Sequence, residues 1–420
     1  MHLKRISTCR VCGSAALTPA IDLGAQYLQG SFIKEGKELP PMAKIPCELV
    51  RCDPQMDREA CGLLQMRHSV PPEILYAAYW YRSGTNQTMR SHLKGIADDL
   101  ARLSQKNNAA VLDIGCNDGT LLKSYPADFI KYGVDPSDVA QEAAGEGLKV
   151  IRDIFPSQKL DAILAGQKLD IITSIAMFYD LEDPVAFGRE IKALLADDGV
   201  WAFEMSYMPE MLALNSYDTI CHEHLEYYSL TVIEKILEMA GMEVFDVSFN
   251  NINGGSIRCL ATHAGSGTYR SSAGQLAIDG VRQREAELKL NTDGPYTAFQ
   301  HRIEQQRGEL RALLLDLKEQ GDRIHIYGAS TKGNTILQFC GIDDSIIECA
   351  AERNPDKFGA RTVGTNIPIV SEAESRAMMP NYYLVLPWHF KAEFIEREKE
   401  MLDKGVGFIF PLPTIEIVKR

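Results

Sequence analysis

Residues 111–122 read VLDIGCNDGTLL and decide the fold. Residues 111–114 are typical of a strand, and Gly115 and Gly119 allow the backbone to turn tightly into a helix. A loop of small residues lets a ligand approach closely, and the start of the following helix offers free backbone N–H groups. The segment therefore predicts the ligand-binding strand–turn–helix of an α/β domain.

The same alternation continues beyond this segment. Further strands are predicted over residues 131–134, 169–174 and 199–204, and a helix is predicted over residues 185–195. Strands that alternate with helices are typical of a parallel, doubly wound sheet. We expect this Rossmann-like domain to occupy residues 71–265.

Two further domains flank this one, and the fold class is α/β overall. Residues 1–70 are rich in Cys, Pro and Gly, so we expect a small domain that needs a stabilising cross-link such as a bound metal ion. Residues 266–420 begin with helical sequence and then resume the strand–turn–helix pattern. Strands over residues 323–327, 345–351 and 382–386 predict a second, smaller α/β domain there.

Composition limits the partners of the chain. Its 420 residues contain 44 Lys and Arg against 57 Asp and Glu, a formal net charge of −13. This charge argues against nucleic acid or an anionic membrane as the main partner. No segment has an export-signal pattern or approaches the roughly 18 apolar residues that span a bilayer. We therefore expect a cytoplasmic protein with reduced cysteines, either a monomer or a small homo-oligomer.

The loop after the first strand carries acidic and polar groups. Asp113 precedes Gly115, the loop contains Asn117 and Asp118, and Asp135 ends the next strand. A carboxylate at that strand end can accept both hydroxyls of a ribose. Such groups suit the amino-acid zwitterion and sulfonium of S-adenosylmethionine and would repel a pyrophosphate. The alternative is that Asp113 and Asp135 only cap turns.

This loop resembles the nucleoside-binding loop of class I methyltransferases. The resemblance implies S-adenosylmethionine as cofactor, with Gly115 and Gly119 in its binding loop. It also implies that Asp153 and Ile154 lie near the adenine. The strand end that begins at Ser174 would then lie below the methyl donor.

The amino-terminal cysteines predict a structural zinc site. Residues 9–12 form a Cys-x-x-Cys knuckle, in which two thiolates on a tight turn can hold one tetrahedral ion. The predicted ligands are Cys9, Cys12, Cys52 and Cys61. A site completed by Cys47 or His68, or no metal at all, is the alternative.

A row of polar groups follows the strand that ends near residue 204. His222, Glu223 and His224 stand side by side, which is unusual for a core segment. In an extended segment the two histidines would share one side and Glu223 would face the other. Histidine suits proton abstraction near neutral pH. We therefore interpret this row as catalytic.

Two tyrosines that precede the first strand of the Rossmann-like domain form a second polar cluster. Tyr79 and Tyr81 lie in the segment YWYRSGTN over residues 79–86. A phenol there can donate a hydrogen bond to a carbonyl oxygen as it becomes an enolate. The alternative is that both rings pack with a satisfied hydroxyl.

The last domain contains a glycine loop of its own, over residues 327–334. Its backbone N–H groups and polar side chains form a predicted anion cradle. The side chains assigned to this cradle are Ser330, Thr331, Lys332 and Asn334. Glu352, at the end of the next strand, is a candidate ribose ligand. A structural turn, or a site for a second redox nucleotide, is the alternative.

The order of these motifs resembles that of the three-domain sugar C-methyltransferases of deoxysugar pathways. It runs from Cys-x-x-Cys through Tyr-x-Tyr-x-Ser-Gly, Asp-Ile-Gly-x-Asn-Asp-Gly-Thr and His-Glu-His-x-x-Tyr-Tyr-Ser to Tyr-Gly-Ala-x-x-Lys-Gly. The resemblance spans essentially the whole chain. It implies a zinc-binding domain, a methyltransferase domain and an α/β domain that closes over a nucleotide sugar.

The resemblance also implies a reaction. The substrate would be a nucleoside-diphosphate 4-keto-6-deoxysugar, methylated on the carbon beside its ketone through an enolate. His224 matches the general base and Glu223 the neighbouring acid, while Tyr79 or Tyr81 would stabilise the enolate. The glycine loop of the last domain would face the sugar nucleotide.

The chain departs from the family at two places. Cys221 replaces a tyrosine before the His-Glu-His row, and a histidine seen in some relatives is missing near Phe178 and Tyr179. These changes put the acceptor and its regiochemistry in question. The alternatives are methylation of oxygen or nitrogen on another small metabolite, and a non-catalytic protein that binds S-adenosylmethionine.

Overall fold

The computed structural model of the chain describes residues 3–76, 80–145 and 147–420. The amino-terminal part consists of short strands and loops. Its strands are β1 (Lys4–Arg5), β2 (Leu17–Gln26), β3 (Phe32–Ile33), β4 (Ile45–Cys52), β5 (Leu64–Met66) and β6 (His68–Ser69). Strand β4 pairs antiparallel with both β2 and β5 and is largely buried, so this small domain has a sheet at its centre.

The middle part alternates strands and helices. Its elements are α1 (Pro72–Leu75), α2 (Gln87–Ser104), β7 (Ala110–Ile114), α3 (Thr120–Ser124), β8 (Ile130–Asp135), α4 (Ala140–Ala143), β9 (Leu148–Arg152), α5 (Gln158–Leu164), β10 (Leu169–Ile175), α6 (Pro184–Leu194), β11 (Leu195–Ser206), α7 (Met208–Ala213), β12 (Glu226–Tyr227), α8 (Leu230–Ala240), β13 (Met242–Asn250) and β14 (Ser256–His263). Seven of these strands form one sheet, in the order β13-β14-β11-β10-β7-β8-β9. Strands β11, β10, β7, β8 and β9 are parallel, which confirms the predicted doubly wound sheet.

The carboxy-terminal part begins with two helices and continues as a second α/β sheet. Its elements are α9 (Ser272–Leu288), α10 (Gly294–Glu319), β15 (Ile324–Tyr327), α11 (Thr331–Cys340), β16 (Ala350–Glu352), β17 (Arg361–Thr362), β18 (Ile369–Ser371), α12 (Glu372–Ala377), β19 (Tyr382–Val385), α13 (Lys391–Arg397), α14 (Lys399–Asp403), β20 (Gly407–Phe410) and β21 (Glu416–Val418). The sheet has the order β18-β16-β15-β19-β20-β21, and only β21 runs antiparallel to its neighbour.

The three parts are joined by strand pairing and by a common core. Strand β12 of the middle part pairs with β5 of the amino-terminal sheet, and β17 pairs with β3. One hydrophobic cluster extends from the amino-terminal sheet through α10 into the carboxy-terminal sheet, and it includes Leu49, Phe299, Leu310 and Ile326. The three parts therefore hold one another in fixed positions.

One strand prediction was too long. The strand predicted over residues 345–351 begins only at Ala350, because residues 343–347 form a turn. In that turn the Asp343 carboxylate accepts hydrogen bonds from the backbone N–H and hydroxyl of Ser345, at 2.9 Å and 2.5 Å. A local side-chain acceptor of this kind competes with strand pairing. Within the described residues, no helix is long and apolar enough to cross a membrane.

Candidate active site

A cavity of about 730 Å³ lies between the three parts of the chain. Residues at the carboxyl ends of β7, β8 and β10 line one wall, and residues at the carboxyl ends of β15 and β16 line another. The carboxyl ends of parallel strands are where α/β folds bind ligands, because the loops there are free to vary. The cavity is therefore the candidate active site.

The carboxyl end of β7 contributes Asp113 to the cavity wall, and the loop that follows contributes Gly115 and Asn117. Asp113 is 3% exposed, and one of its oxygens accepts a hydrogen bond from the Thr173 hydroxyl at 2.6 Å. Burial raises the pKa of Asp113 to about 7. No cationic side chain pairs with Asp113 in the part of the chain that the structure describes. A buried carboxyl group without a cationic partner suits a positively charged ligand such as a sulfonium or ammonium group.

Asp135 also lines the cavity, but most of its acceptor capacity is used within the loop. One oxygen accepts from the backbone N–H of Asn117 at 2.9 Å. The other accepts from the N–H and hydroxyl of Ser137, at 2.8 Å and 2.5 Å. A carboxylate has about four acceptor positions, so about one remains. Asp135 therefore has about one acceptor position left for a ligand, fewer than the two that the predicted contact with both ribose hydroxyls would need.

Three predicted cofactor residues do not line the cavity. The Asp118 carboxylate accepts hydrogen bonds from the backbone N–H groups of Gly84 and Thr120. Gly119 has a φ of 73°, and a Cβ at this position would lie 2.9 Å from the Cβ of Ala143. The buried Ser174 hydroxyl accepts from the indole N–H of Trp201 at 3.2 Å. These residues shape the loop and the core because their polar groups face protein rather than the cavity.

The two residues predicted near the adenine lie on the cavity wall. Asp153 and Ile154 line it next to the carboxyl end of β9. Tyr81 also lines it, and its backbone carbonyl accepts from the side-chain amide of Asn117 at 3.1 Å. The other predicted tyrosine, Tyr79, lies outside the described residues.

The His-Glu-His row forms a turn and not the extended segment that the sequence predicted. The backbone N–H of His224 donates to the carbonyl of Cys221 at 3.1 Å, which folds the chain back. As a result, Glu223 and His224 both line the cavity, while His222 points away from it. The alternation expected for a strand does not apply in a turn.

His224 has the geometry of a neutral base. Its Nδ1 lies 2.7 Å from the carbonyl oxygen of Thr219, which can only accept, so Nδ1 carries the proton. Nε2 therefore has the free lone pair. The ring packs against Tyr179 with centroids 4.1 Å apart. Burial, together with the nearby Lys332 charge, lowers the pKa of His224 to about 3, so the imidazole is neutral at physiological pH.

Glu223 occupies a space that a side chain on Gly30 would fill. A Cβ at Gly30 would lie 1.8 Å from Oε1 of Glu223 and 3.6 Å from the hydroxyl oxygen of Thr331. The carboxyl group has no hydrogen-bond partner among the residues that the structure describes. Burial raises the pKa of Glu223 to about 7, so this group can be protonated near neutral pH and can donate a hydrogen bond.

The glycine loop of the last domain lines the cavity through Ser330, Thr331 and Lys332. The Ser330 hydroxyl caps α11 by accepting from the N–H of Gly333 at 3.0 Å. Lys332 is half-buried and donates to the carbonyl of Asn253 at 2.7 Å. Burial lowers the pKa of Lys332. The loop thus brings one ammonium group to the side of the cavity where Glu223 and His224 lie.

Two other residues predicted for this loop have structural contacts. Asn334 does not line the cavity, and its side-chain amide donates to the carbonyl of Gln29 at 2.7 Å. Glu352 lines the cavity, but its carboxylate accepts from the backbone N–H groups of Ala329, Arg353 and Asn354. Asn334 therefore connects the last domain to the amino-terminal one.

Sequence reasoning missed two polar groups on the cavity wall. One oxygen of Asp180 accepts from the hydroxyl of Tyr76 at 3.3 Å, while the other is buried and has no hydrogen-bond partner among the described residues. The buried Nδ1 of His389 also has no hydrogen-bond partner within that part of the chain, and burial lowers the pKa of His389 to about 3. Both residues follow the carboxyl end of a parallel strand, β10 or β19, and that position was the available signal.

The four predicted cysteines form one cluster away from this cavity. The sulfurs of Cys9 and Cys61 are 3.6 Å apart, those of Cys12 and Cys52 are 3.4 Å apart, and all four lie within 4.8 Å of one another. Four thiolates bound tetrahedrally at about 2.3 Å would be separated by roughly 3.8 Å. The cluster therefore fits a zinc ion with no open coordination position.

His222 lies beside the amino-terminal sheet and outside the cavity. Its Nε2 is 3.1 Å from the carbonyl oxygen of Ile45 and 3.3 Å from the sulfur of Cys47. Its backbone N–H donates to the side chain of Gln29 at 3.2 Å. Cys47 is therefore not part of the cysteine cluster, and His68 also lies outside it. His222 joins the turn to the amino-terminal domain, and its side chain is not among those that line the cavity, where the sequence had predicted it.

The chain matches three family models in succession. Residues 9–76 match a "Putative zinc binding domain", residues 89–247 a "Methyltransferase domain" and residues 251–413 a "C-methyltransferase C-terminal domain". Along its length the chain also resembles C-methyltransferase NovU of Streptomyces niveus. The two are 28% identical over 420 residues, which cover 99% of this chain and 98% of the relative.

Two solved structures resemble part of the chain. One is magnesium protoporphyrin IX methyltransferase ChlM from Synechocystis PCC 6803 with bound SAM, with a TM-score of 0.32, 16% identity, and coverage of 42% of this chain and 79% of that one. The other is the CcbJ methyltransferase from Streptomyces caelestis, with a TM-score of 0.34, 12% identity, and coverage of 45% and 95%. Both TM-scores are low, so the assignment of the middle domain depends on the family model and on its sheet.

The family models and the full-length relative agree with the architecture. The chain is an S-adenosylmethionine-dependent methyltransferase whose three successive parts match a putative zinc-binding domain, a methyltransferase domain and a C-methyltransferase carboxy-terminal domain.

Proposed function

We propose that this methyltransferase methylates the carbon next to the ketone of a nucleoside-diphosphate 4-keto-6-deoxysugar. The orientation of His224 carries the proposal. Its Nδ1 donates to the carbonyl of Thr219, so Nε2 is unprotonated, and the side chain lines the cavity. Methylation of carbon needs a base to remove a proton, whereas methylation of a nitrogen or oxygen lone pair has no such requirement at carbon.

The groups around His224 suit the enolate that proton removal creates. His224 takes the proton beside the ketone, and negative charge develops on the ketone oxygen. Glu223, when protonated, donates a hydrogen bond to that oxygen, and the Lys332 ammonium adds positive charge on the same side of the cavity. Groups that face a developing charge in a site shielded from water stabilise the transition state more than the ground state.

The methyltransferase loop is the proposed cofactor site. When bound, S-adenosylmethionine supplies an electrophilic methyl group on a sulfonium. Asp113 is assigned to the positive charge of the cofactor because it is buried and no described residue pairs a cation with it, and Asp135 is assigned to one ribose hydroxyl. Asp153 and Ile154 are assigned to the adenine because both line the cavity beyond Asp135.

Positive charge on the opposite wall supports a phosphorylated substrate. The carboxy-terminal domain contributes four cationic side chains to the cavity: Lys332, Arg353, Lys357 and Arg397. Arg353 and Arg397 pair with the carboxylates of Glu372 and Glu398, and Lys357 lies 3.8 Å from Glu352. Lys332 has no such ion pair among the described residues, so its ammonium is the charge most available to a phosphorylated ligand, although the chain has a formal net charge of −13.

The amino-terminal site is proposed to hold structural zinc. Its ligands are Cys9, Cys12, Cys52 and Cys61. Because four thiolates complete the tetrahedral shell, this zinc has no position for a substrate.

Mass spectrometry of reactions in heavy water tests the proposal. S-adenosylmethionine would be incubated with the enzyme and a panel of nucleoside-diphosphate 4-keto-6-deoxysugars. We expect one product to gain a methyl group, with deuterium entering beside the ketone when the cofactor is withheld. Methylation of oxygen or nitrogen without deuterium entry would refute the carbon acceptor. Cofactor binding without any product from the panel would refute the sugar class and leave the methyltransferase assignment in place.

A further inference from the structure

Arg10 lies inside the zinc knuckle, between Cys9 and Cys12, but its side chain points into the protein. Only 2% of that side chain is exposed. The guanidinium group of Arg10 is therefore held in the protein by specific contacts.

These contacts connect Arg10 to β5 and its surroundings. One terminal nitrogen donates to the carbonyl of Met66 at 2.7 Å, and the other donates to the hydroxyl of Ser69 at 3.0 Å. The backbone N–H of Arg10 donates to the side chain of Gln65 at 3.2 Å. The guanidinium Nε lies 3.7 Å from Oε1 of Glu226, a carboxyl group whose side chain has no exposed surface.

The partners of Arg10 are also the partners of the turn that carries His224. The backbone N–H of Met66 donates to the carbonyl of Leu225 at 2.8 Å, and Leu225 directly follows His224. Gln65 is paired in register with Glu226, as β5 pairs with β12. Arg10 therefore contacts both strands at the point where the chain leaves the turn.

We propose that Arg10 is a positioning residue, through which the zinc knuckle holds the turn that presents His224 to the substrate. This inference rests on the proposed role of His224 as the base. The knuckle fixes the Arg10 backbone, and the guanidinium donates to the Met66 carbonyl and places its charge beside Glu226. Met66 in turn holds Leu225, at the point where the chain leaves the turn. The zinc domain thus acts on the reaction without contacting the reacting atoms.

The effect of Arg10 on the position of His224 can be separated experimentally from a loss of folding. A displacement of about 1 Å in a catalytic group can cost roughly 10²-fold in rate. We therefore expect Arg10→Met, which keeps the aliphatic stem and removes the charge and donors, to lower kcat roughly 10- to 100-fold. The Kd of S-adenosylmethionine should stay unchanged, because its loop lies on a different wall. Arg10→Lys keeps the charge beside Glu226, so its kcat should lie between that of Arg10→Met and that of the unmodified enzyme.

Hydrogen–deuterium exchange supplies a measurement that does not depend on turnover. In the full-length, zinc-loaded protein, Arg10→Met should speed backbone exchange in residues 221–228 while zinc content stays at one ion per chain. Arg5→Met is the matched control, because Arg5 is exposed on β1 in the same domain. It should change neither exchange in that segment nor kcat.

The outcomes distinguish this inference from the proposed function. Unchanged exchange in residues 221–228, or an unchanged kcat, in zinc-loaded Arg10→Met would overturn the inference. Zinc loss in Arg10→Met would also overturn it, since Arg10 would then serve the metal site itself. If the unmodified enzyme methylates no sugar of the panel, the proposed function fails. Faster exchange of the turn in Arg10→Met would still support the contact between the knuckle and the turn.

Discussion

Replacing His224 by Asn tests the base with the least disturbance of its turn. The side-chain amide of Asn can donate to the carbonyl of Thr219, the bond that His224 Nδ1 makes at 2.7 Å. It offers no basic lone pair in place of Nε2. The substitution therefore removes the proposed chemistry and keeps the hydrogen bond that holds the turn.

The expected size of the effect follows from the role of the group. A positioned general base contributes roughly 10²–10⁴-fold, which corresponds to about 2.7–5.4 kcal/mol of activation free energy. We expect His224→Asn to lower kcat by that factor. The Kd of S-adenosylmethionine should stay within about twofold, because removal of a group used only in the transition state leaves ground-state binding in place.

The assay combines turnover, cofactor binding and deuterium entry. Initial rates give kcat and KM, calorimetry gives the cofactor Kd, and mass spectrometry in heavy water follows exchange beside the ketone. His263→Asn is the matched control, because His263 also bonds a carbonyl oxygen, that of Ala196 at 3.1 Å, and lies outside the cavity. Turnover of His224→Asn within about tenfold of the unmodified enzyme, with deuterium entry retained, would refute the assignment.

Three further changes have defined outcomes. The Glu223 carboxyl is protonated below its pKa of about 7, so activity should fall as pH rises through this value. Glu223→Gln, which stays neutral, should abolish that alkaline limb, and a limb that persists would contradict the role. Gly30→Ala places a Cβ 1.8 Å from Oε1 of Glu223 and displaces that carboxyl group. It should lower kcat roughly tenfold to a hundredfold and leave the Kd of S-adenosylmethionine unchanged. A normal kcat in this variant would show that the position of the Glu223 carboxyl does not matter for the reaction. Cys52→Ser should lower the zinc content measured by metal analysis and the melting temperature, because metal binding contributes to folding, and full zinc loading would contradict the ligand set.

Most of the fold could be predicted from short stretches of sequence. The strand over residues 111–114 is followed by a glycine turn and a helix, and the structure has β7 and α3 in these places. Buried strands and amphipathic helices leave a periodic pattern that depends on near neighbours in the chain, so this level of structure can be predicted. The strand over residues 345–351 was too long because Asp343 and Ser345 form a local turn that periodicity does not record.

The candidate site could be predicted from the sequence only in part. The sequence identified Asp113, Asp135 and His224 as chemically suitable, and the structure brings all three to one cavity. It did not show that Asp135 already bonds Asn117 and Ser137, because those bonds depend on the shape of the loop. Acceptor capacity is a property of the folded loop, so residue type alone overestimated it.

By itself the sequence determined the α/β class, the set of four cysteines and the acidic glycine loop, because each is encoded by residue types at short spacing. Only the tertiary structure decided which members of the His-Glu-His row meet the cavity. Strand β12 joins the amino-terminal sheet and forces the preceding residues into a turn, so His222 faces Cys47 while Glu223 and His224 face the site. The direction of a side chain in an irregular segment is set by long-range contacts, which local sequence does not specify.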